Sequence, residues 1–149
     1  MVNALPLSAN LDPQNISTAM HTLDDKLKKV ALFHDTFLIE NNHLPTTLSD
    51  SAVELRYNLM KEENEEYLEA AKRGDLVEVA DALGDQLYIL LGTILRHGLQ
   101  DKIGEVFDEI QRSNMSKLDE NGKPIFREDG KVLKSNLYFR PDIKKVLEG

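Results

Sequence analysis

The sequence predicts an all-α protein, a bundle of four to five helices followed by a short irregular, hairpin-like tail. Three observations carry this expectation. Apolar residues recur at helical spacing through most of the chain, capping and stop residues fall between those stretches, and one stretch is apolar nearly all round the wheel.

The first predicted helix opens at Asp12-Pro13, since proline is tolerated in a first turn. It carries Ile16, Met20, Leu23, Leu27, Val30, Phe33, Phe37 and Leu38 to about Asn41. Its Asp24, Asp25, Lys26, Lys28, Lys29 face reads as solvated surface. Phe33 and His34 fit the core or contact with a ligand base equally well. A loop with Pro45 follows. Ser49 or Asp50 caps the second helix, which stops at Arg73-Gly74, a cation followed by a C-terminal glycine. Asp75 caps the third helix at once, so the two must run antiparallel and adjacent. Gly98 ends the third. Asp101 caps a fourth that reaches about Ser116, with Ile103, Val106, Phe107 and Ile110 on its apolar face.

The helical core thus spans about 13–117 and the tail about 118–149, within one domain. In the tail, Asn121-Gly122 and Asp129-Gly130 are turn signals beside the extended pieces Pro124-Ile125-Phe126 and Lys131-Val132-Leu133. Pro141-Asp142 opens a last helical turn. The apolar residues kept here are more than a disordered tail carries.

The 149 residues have a net charge of −8 and no cysteine. That disfavours nucleic acid polymers and anionic membranes, and it removes disulfides and thiolate chemistry. Met1 to Leu11 lacks a basic start and the longest apolar run is too short to span a bilayer. A cytoplasmic location is the expectation.

Acidic residues supply the functional signal. On the second helix Glu63 and Glu66 fall among Leu55, Leu59, Tyr67 and Ala70, with Glu62 at the margin and Glu65 and Glu69 outside. On the third, Glu78, Asp81 and Asp85 make a narrow polar stripe on an otherwise apolar wheel. A solvated acidic face explains Glu65 and Glu69 but not acids with apolar neighbours. Buried carboxylates must neutralise, pair or bind a metal, and Arg56 is the one cation on the inner face of the second helix. A divalent cation among Glu63, Glu66, Glu78 and Asp81 is therefore expected. Carboxylates alone suit Mg²⁺, with Mn²⁺ as a substitute, and magnesium commonly bridges to substrate phosphates. Glu62 is the candidate base for a water, and tail lysines could cover the phosphates. A di-iron bundle needs two Glu-x-x-His pairs, and only Glu40-x-x-His43 has that spacing. Phe33, His34 and Tyr88 are candidates for contact with a base.

Glu62-Glu63-x-x-Glu66 followed by Glu78-x-x-Asp81 resembles the MazG-like all-α nucleoside triphosphate pyrophosphohydrolases, a superfamily that includes dimeric dUTPases and phosphoribosyl-ATP pyrophosphohydrolases. The resemblance runs from about Phe33 to Ile143 and extends to Arg56, Gly74-Asp75, Tyr88, Gly92-Thr93, Gly98, Asn114-Met115-Ser116-Lys117, Gly130-Lys131-Val132 and Pro141-Asp142. It implies Mg²⁺-dependent conversion of a nucleoside triphosphate to the monophosphate and pyrophosphate. Glu63, Glu66, Glu78 and Asp81 take the metal-ligand positions, with Asp85 beside the metals or at the sugar. Asn114, Lys117, Lys131 and Lys134 look like phosphate-end residues, supplied within the chain or by a neighbouring subunit. It also implies a bundle completed by homo-oligomerisation, as a dimer or tetramer, with which the apolar third helix is consistent. In another branch the second pair reads Glu-Leu-Gly-Asp; in that frame Asp85 is the ligand and Ala82 replaces its partner. The competing readings are a regulatory oligomer that holds a nucleotide without cleaving it, and a hydrolase of phosphoribosyl-ATP or a nucleoside diphosphate.

Overall fold

A computed structural model describes residues 22–149 and shows an all-helical chain: α1 (Leu23–Thr36), α2 (Asp50–Arg73), α3 (Leu76–Arg96), α4 (Ile103–Met115) and α5 (Ile143–Glu148). The expected start of the first helix at Asp12-Pro13, with Ile16 and Met20, lies outside the described residues. Within them, α1 is capped at Thr22. The Asp25 amide donates to Thr22 Oγ1 (3.2 Å) and the Thr22 amide to Asp25 Oδ2 (3.3 Å), a reciprocal capping box. Its end falls at Thr36, short of the expected Asn41. Leu38 takes a left-handed φ of 57°, and the Ile39 amide returns to His34 O (2.8 Å), so the chain turns away one helical turn early.

The α2–α3 hairpin follows the sequence closely. Ser49 caps α2, Gly74 ends it at φ +70°, and Asp75 Oδ1 accepts from the Glu78 amide (3.2 Å) to start α3. The loop before α2 caps the far end of α3. The Asn42 amide donates to Leu95 O, Asn42 Nδ2 to Arg96 O and the Thr46 amide to His97 O, which occupies carbonyls that have no helical partner. Asp101 does not cap α4. The preceding residue is Lys102, and the Ile103 amide is already engaged by Leu99 O (2.9 Å) in a turn that continues from the end of α3.

Leu27 and Val30 of α1 pack against Leu91, Ile94 and Leu95 of α3, with Ala31, Leu99 and Ile103 at the edge. The buried residues of α3 are Ala82 and, in its C-terminal half, Leu91, Gly92, Ile94 and Leu95. Against expectation, Leu76, Val77, Leu83, Leu87 and Leu90 are exposed, because α1 covers one end of the hairpin and no other described element covers the other.

The tail is ordered along α4. Phe126 and Val132 form an antiparallel bridge around the Asp129-Gly130 turn, with Gly122 and Gly130 at φ +70° and +83°. Asp142 caps α5, which packs on α4. Among the described residues no helix is long and apolar enough to cross a membrane.

Candidate active site

The register of α2 against α3 decides which acids meet. Gln86 Nε2 donates to Asn64 Oδ1 (3.2 Å) and Arg56 Nε to Thr93 Oγ1 (3.0 Å). Glu63 and Asp85 each adjoin the Asn64–Gln86 tie, and the charge of Asp85 acts on Glu63 across the helix pair. Glu63 is half-buried, on the stripe of α2 that also buries Arg56 and Ala70 at seven-residue intervals. Its Oε2 is buried without a hydrogen-bond partner. Burial, then the charges of Glu66, Asp85, Glu62 and Asp81, raise its carboxyl above the ordinary glutamate range.

Two expectations are corrected here. Glu66, Asp81 and Asp85 are exposed in the single chain, as are Glu62 and Glu78; only Glu63 has a carboxylate oxygen drawn into the helix pair. Glu78 was expected to face Glu63 and Glu66; of the α3 acids, Asp85 and Asp81 are those whose charges raise the Glu63 carboxyl. The reason is the register: Glu78 sits in the first turn of α3, beside the hairpin, while Asp85 lies nearly two turns further along. Among the described residues no three or more acids or histidines converge closely enough to hold a metal. Like charges without a counter-ion repel, so splayed carboxylates are the expected state of such a set. In kind the donors fit a hard cation: carboxylates only, around one oxygen that has no other partner.

Arg56 is buried, with no ion pair to a carboxylate among the described residues. Its Nη2 donates to Ile89 O (2.7 Å), and burial followed by the charge of Arg96 lowers it from its usual value. His34 is also buried, with Nδ1 2.6 Å from Asn41 Oδ1; with that oxygen as acceptor the proton sits on Nδ1. Both side chains press on Gly92, where a Cβ would meet Arg56 Nη2 at 2.7 Å and His34 Nε2 at 2.9 Å. His34 is therefore built into the core, and its ring is not open to a ligand. Sequence reasoning noted Arg56, His34 and Gly92-Thr93 separately and missed that they are one assembly; the missing signal was Asn41, read as helix end rather than as the partner of His34.

Tyr88 stands one turn beyond Asp85. Its ring meets Phe33 edge to face at 5.6 Å, and Phe33 packs on Phe37 at 4.4 Å; all three are partly exposed. The tail residues are not brought to the acids: no hydrogen bond or ion pair among the described residues links Asn114, Lys117, Lys131 or Lys134 to α2 or α3. Lys117 Nζ instead donates to Asn114 Oδ1 (2.7 Å), and Lys134 lies over Tyr138 at 4.3 Å. Tyr138 was missed by sequence reasoning, since its neighbours come from α4 and become visible only when the tail folds back.

No individual curated protein matches the chain. Residues 30–114, from α1 through nearly all of α4, match the family described as phosphoribosyl-ATP pyrophosphohydrolase. That span covers more than half of the 149 residues and holds the paired acids, the Arg56–Gly92 assembly and the helices that carry them. The chain belongs to the phosphoribosyl-ATP pyrophosphohydrolase family, and with it to the MazG-like all-α pyrophosphohydrolases that act on acid anhydrides.

Proposed function

We propose that this protein is a Mg²⁺-dependent nucleotide pyrophosphohydrolase that converts a nucleoside triphosphate to the monophosphate and pyrophosphate. The observation that carries the reading is the orphaned Oε2 of Glu63, held among Glu62, Glu66, Asp81 and Asp85. An acid group kept at a cost in stability, on a surface that could have been neutral, marks a functional site.

Glu63, Glu66, Glu78 and Asp81, with Asp85, would hold magnesium, which supplies charge neutralisation on the phosphates and a more acidic water. Of these, Glu63 and Asp85 are centred by the helix register, and Glu78 is the outlying member. Glu62, exposed beside Glu63, accepts the proton as water attacks phosphorus and the anhydride bond to the leaving pyrophosphate breaks. The Phe33–Tyr88 pair offers a face on which a base can stack next to Asp85. Lys117, Lys131 and Lys134, with Asn114, bind the far end of the phosphate chain. Because they lie apart from the acids in one chain, the complete site joins α2–α3 of one subunit to the tail of another. The exposed Leu83, Leu87 and Leu90 supply the interface.

Phosphoribosyl-ATP is the second substrate reading, and the family match favours its inclusion. Incubation with the common nucleoside triphosphates and phosphoribosyl-ATP, in Mg²⁺ or Mn²⁺, is expected to release pyrophosphate and a monophosphate from at least one. No turnover of any substrate with either metal would overturn the proposal.

A further inference from the structure

Arg56 is 9% exposed, and none of the ion pairs among the described residues uses it. Its guanidinium crosses from α2 to α3. Nε donates to Thr93 Oγ1 (3.0 Å) and Nη2 to Ile89 O (2.7 Å), while the Thr93 hydroxyl donates to the same carbonyl (2.8 Å). Gly92 leaves room for this fork, inside a helix where glycine is less favourable than alanine. An apolar side chain of similar length would fill the seam without taking a charge out of water. The arginine supplies direction instead. A flat fork that must meet a carbonyl and a hydroxyl one turn apart is satisfied at one axial offset of the two helices, whereas apolar side chains still touch after a slip.

The acids lie along the same seam. Glu63 follows Arg56 by two turns of α2, and Asp85 precedes Ile89 by one turn of α3. Gln86 Nε2 donates to Asn64 Oδ1 (3.2 Å), so the neighbours of the two acids touch at this offset. That amide pair is exposed and water can replace either partner. The buried fork has no such substitute, which makes it the stronger determinant of the offset. Magnesium needs its oxygens at about 2.1 Å, and a slip of one residue moves a helix by about 1.5 Å, enough to take a ligand out of reach.

We propose that Arg56 is a positioning residue for the metal site: it touches neither ion nor nucleotide, and it fixes the offset of α2 on α3 at which Glu63 and Asp85 share one cation. This rests on the metal-dependent reading above and adds to it a residue whose loss is felt first in metal affinity.

Calorimetric titration of the full chain with Mn²⁺, without nucleotide and well below the melting temperature, tests it. Arg56→Met, helical by circular dichroism, is expected to bind Mn²⁺ about 10- to 100-fold more weakly than the wild type, as when a group that orients metal ligands is lost. Arg56→Lys should weaken binding nearly as much, since an ammonium keeps the charge and loses the fork. Thr93→Val removes one acceptor and keeps the shape; it should move affinity the same way by a smaller factor, and it carries the test if Arg56→Met does not fold. A merely structural Arg56 would lower the melting temperature and leave the affinity of the folded protein unchanged. Wild-type Mn²⁺ affinity in the folded variants, or no Mn²⁺ binding by the wild type itself, would overturn the proposal. A wild type that binds Mn²⁺ in this Arg56-dependent way yet cleaves no nucleotide would support it and count against the proposed function alone.

Discussion

At Gly92 an added methyl group would stand 2.7 Å from Arg56 Nη2 and 2.9 Å from His34 Nε2, both ends of side chains that can give way slightly. At Gly98 it would stand 2.1 Å from the Leu44 carbonyl oxygen, on a backbone already at φ +65°. Gly92→Ala is expected to cost about 1–3 kcal/mol by overpacking, and Gly98→Ala more, because left-handed backbone adds about 1–2 kcal/mol and a main-chain atom cannot swing aside. Urea unfolding would show the order, and equal losses would contradict it. Glu63 behaves oppositely. A carboxyl held above its ordinary range is less easily ionised in the fold than in the unfolded chain, so its charge destabilises the fold at neutral pH. Glu63→Gln should melt no lower than the wild type in EDTA, yet lose Mg²⁺-stimulated pyrophosphate release by at least about 100-fold. A large fall in melting temperature would recast Glu63 as a structural group.

Helix α4 holds the tail through one carboxylate. Glu109 takes both Arg112 Nε and Nη2 at 2.8 Å and the Asp142 amide at 2.7 Å, next to the cap of α5. The Arg112 hydrogen bonds first, then the Asp142 amide, hold its carboxyl down at about 2. Because the folded value is depressed, the contribution to stability is complete above about 4.5 and is lost as pH falls from there through about 2. The Asp142 amide resonance should hold its position down to about pH 4 and move only below it, and Glu109→Gln should remove that movement. A midpoint near 4.5 would mean the clamp does not form. Caps that rest on a single residue, Ser49, Gly74 and Asp75, were legible in the sequence because their chemistry is local. Asp101 was misread as a cap because the donors it would serve are taken by the turn at Leu99. The end of α1 was misread because Leu38 occupies a left-handed position where glycine is the ordinary signal.

Over the whole molecule, the helical wheel identified Glu63 as inward-facing from its place between Ala70 and Tyr67, but a wheel carries no information about the neighbouring helix. The meeting of Glu63 with Asp85 depends on contacts as distant in sequence as Arg56 and Thr93, and so it emerges only in the folded chain. The same limit applies to burial. An apolar wheel shows that a helix will be covered, not that its own chain will cover it. Between α2 and α3 a groove of ≈ 580 Å³ is lined by Tyr57, Met60, Lys61, Asn64, Leu83, Gln86, Leu87 and Leu90, and its four large apolar side chains besides Met60 are 47–58% exposed. In the assembly proposed above, a second copy would cover this groove and bring its tail to these acids. The wild type should therefore sediment well above 16.9 kDa. Leu83→Lys combined with Leu87→Lys should give a helical monomer that has lost turnover but still binds triphosphate weakly through its tail. A wild type that sediments at 16.9 kDa at micromolar concentration while hydrolysing nucleotide would mean that one chain holds the entire site.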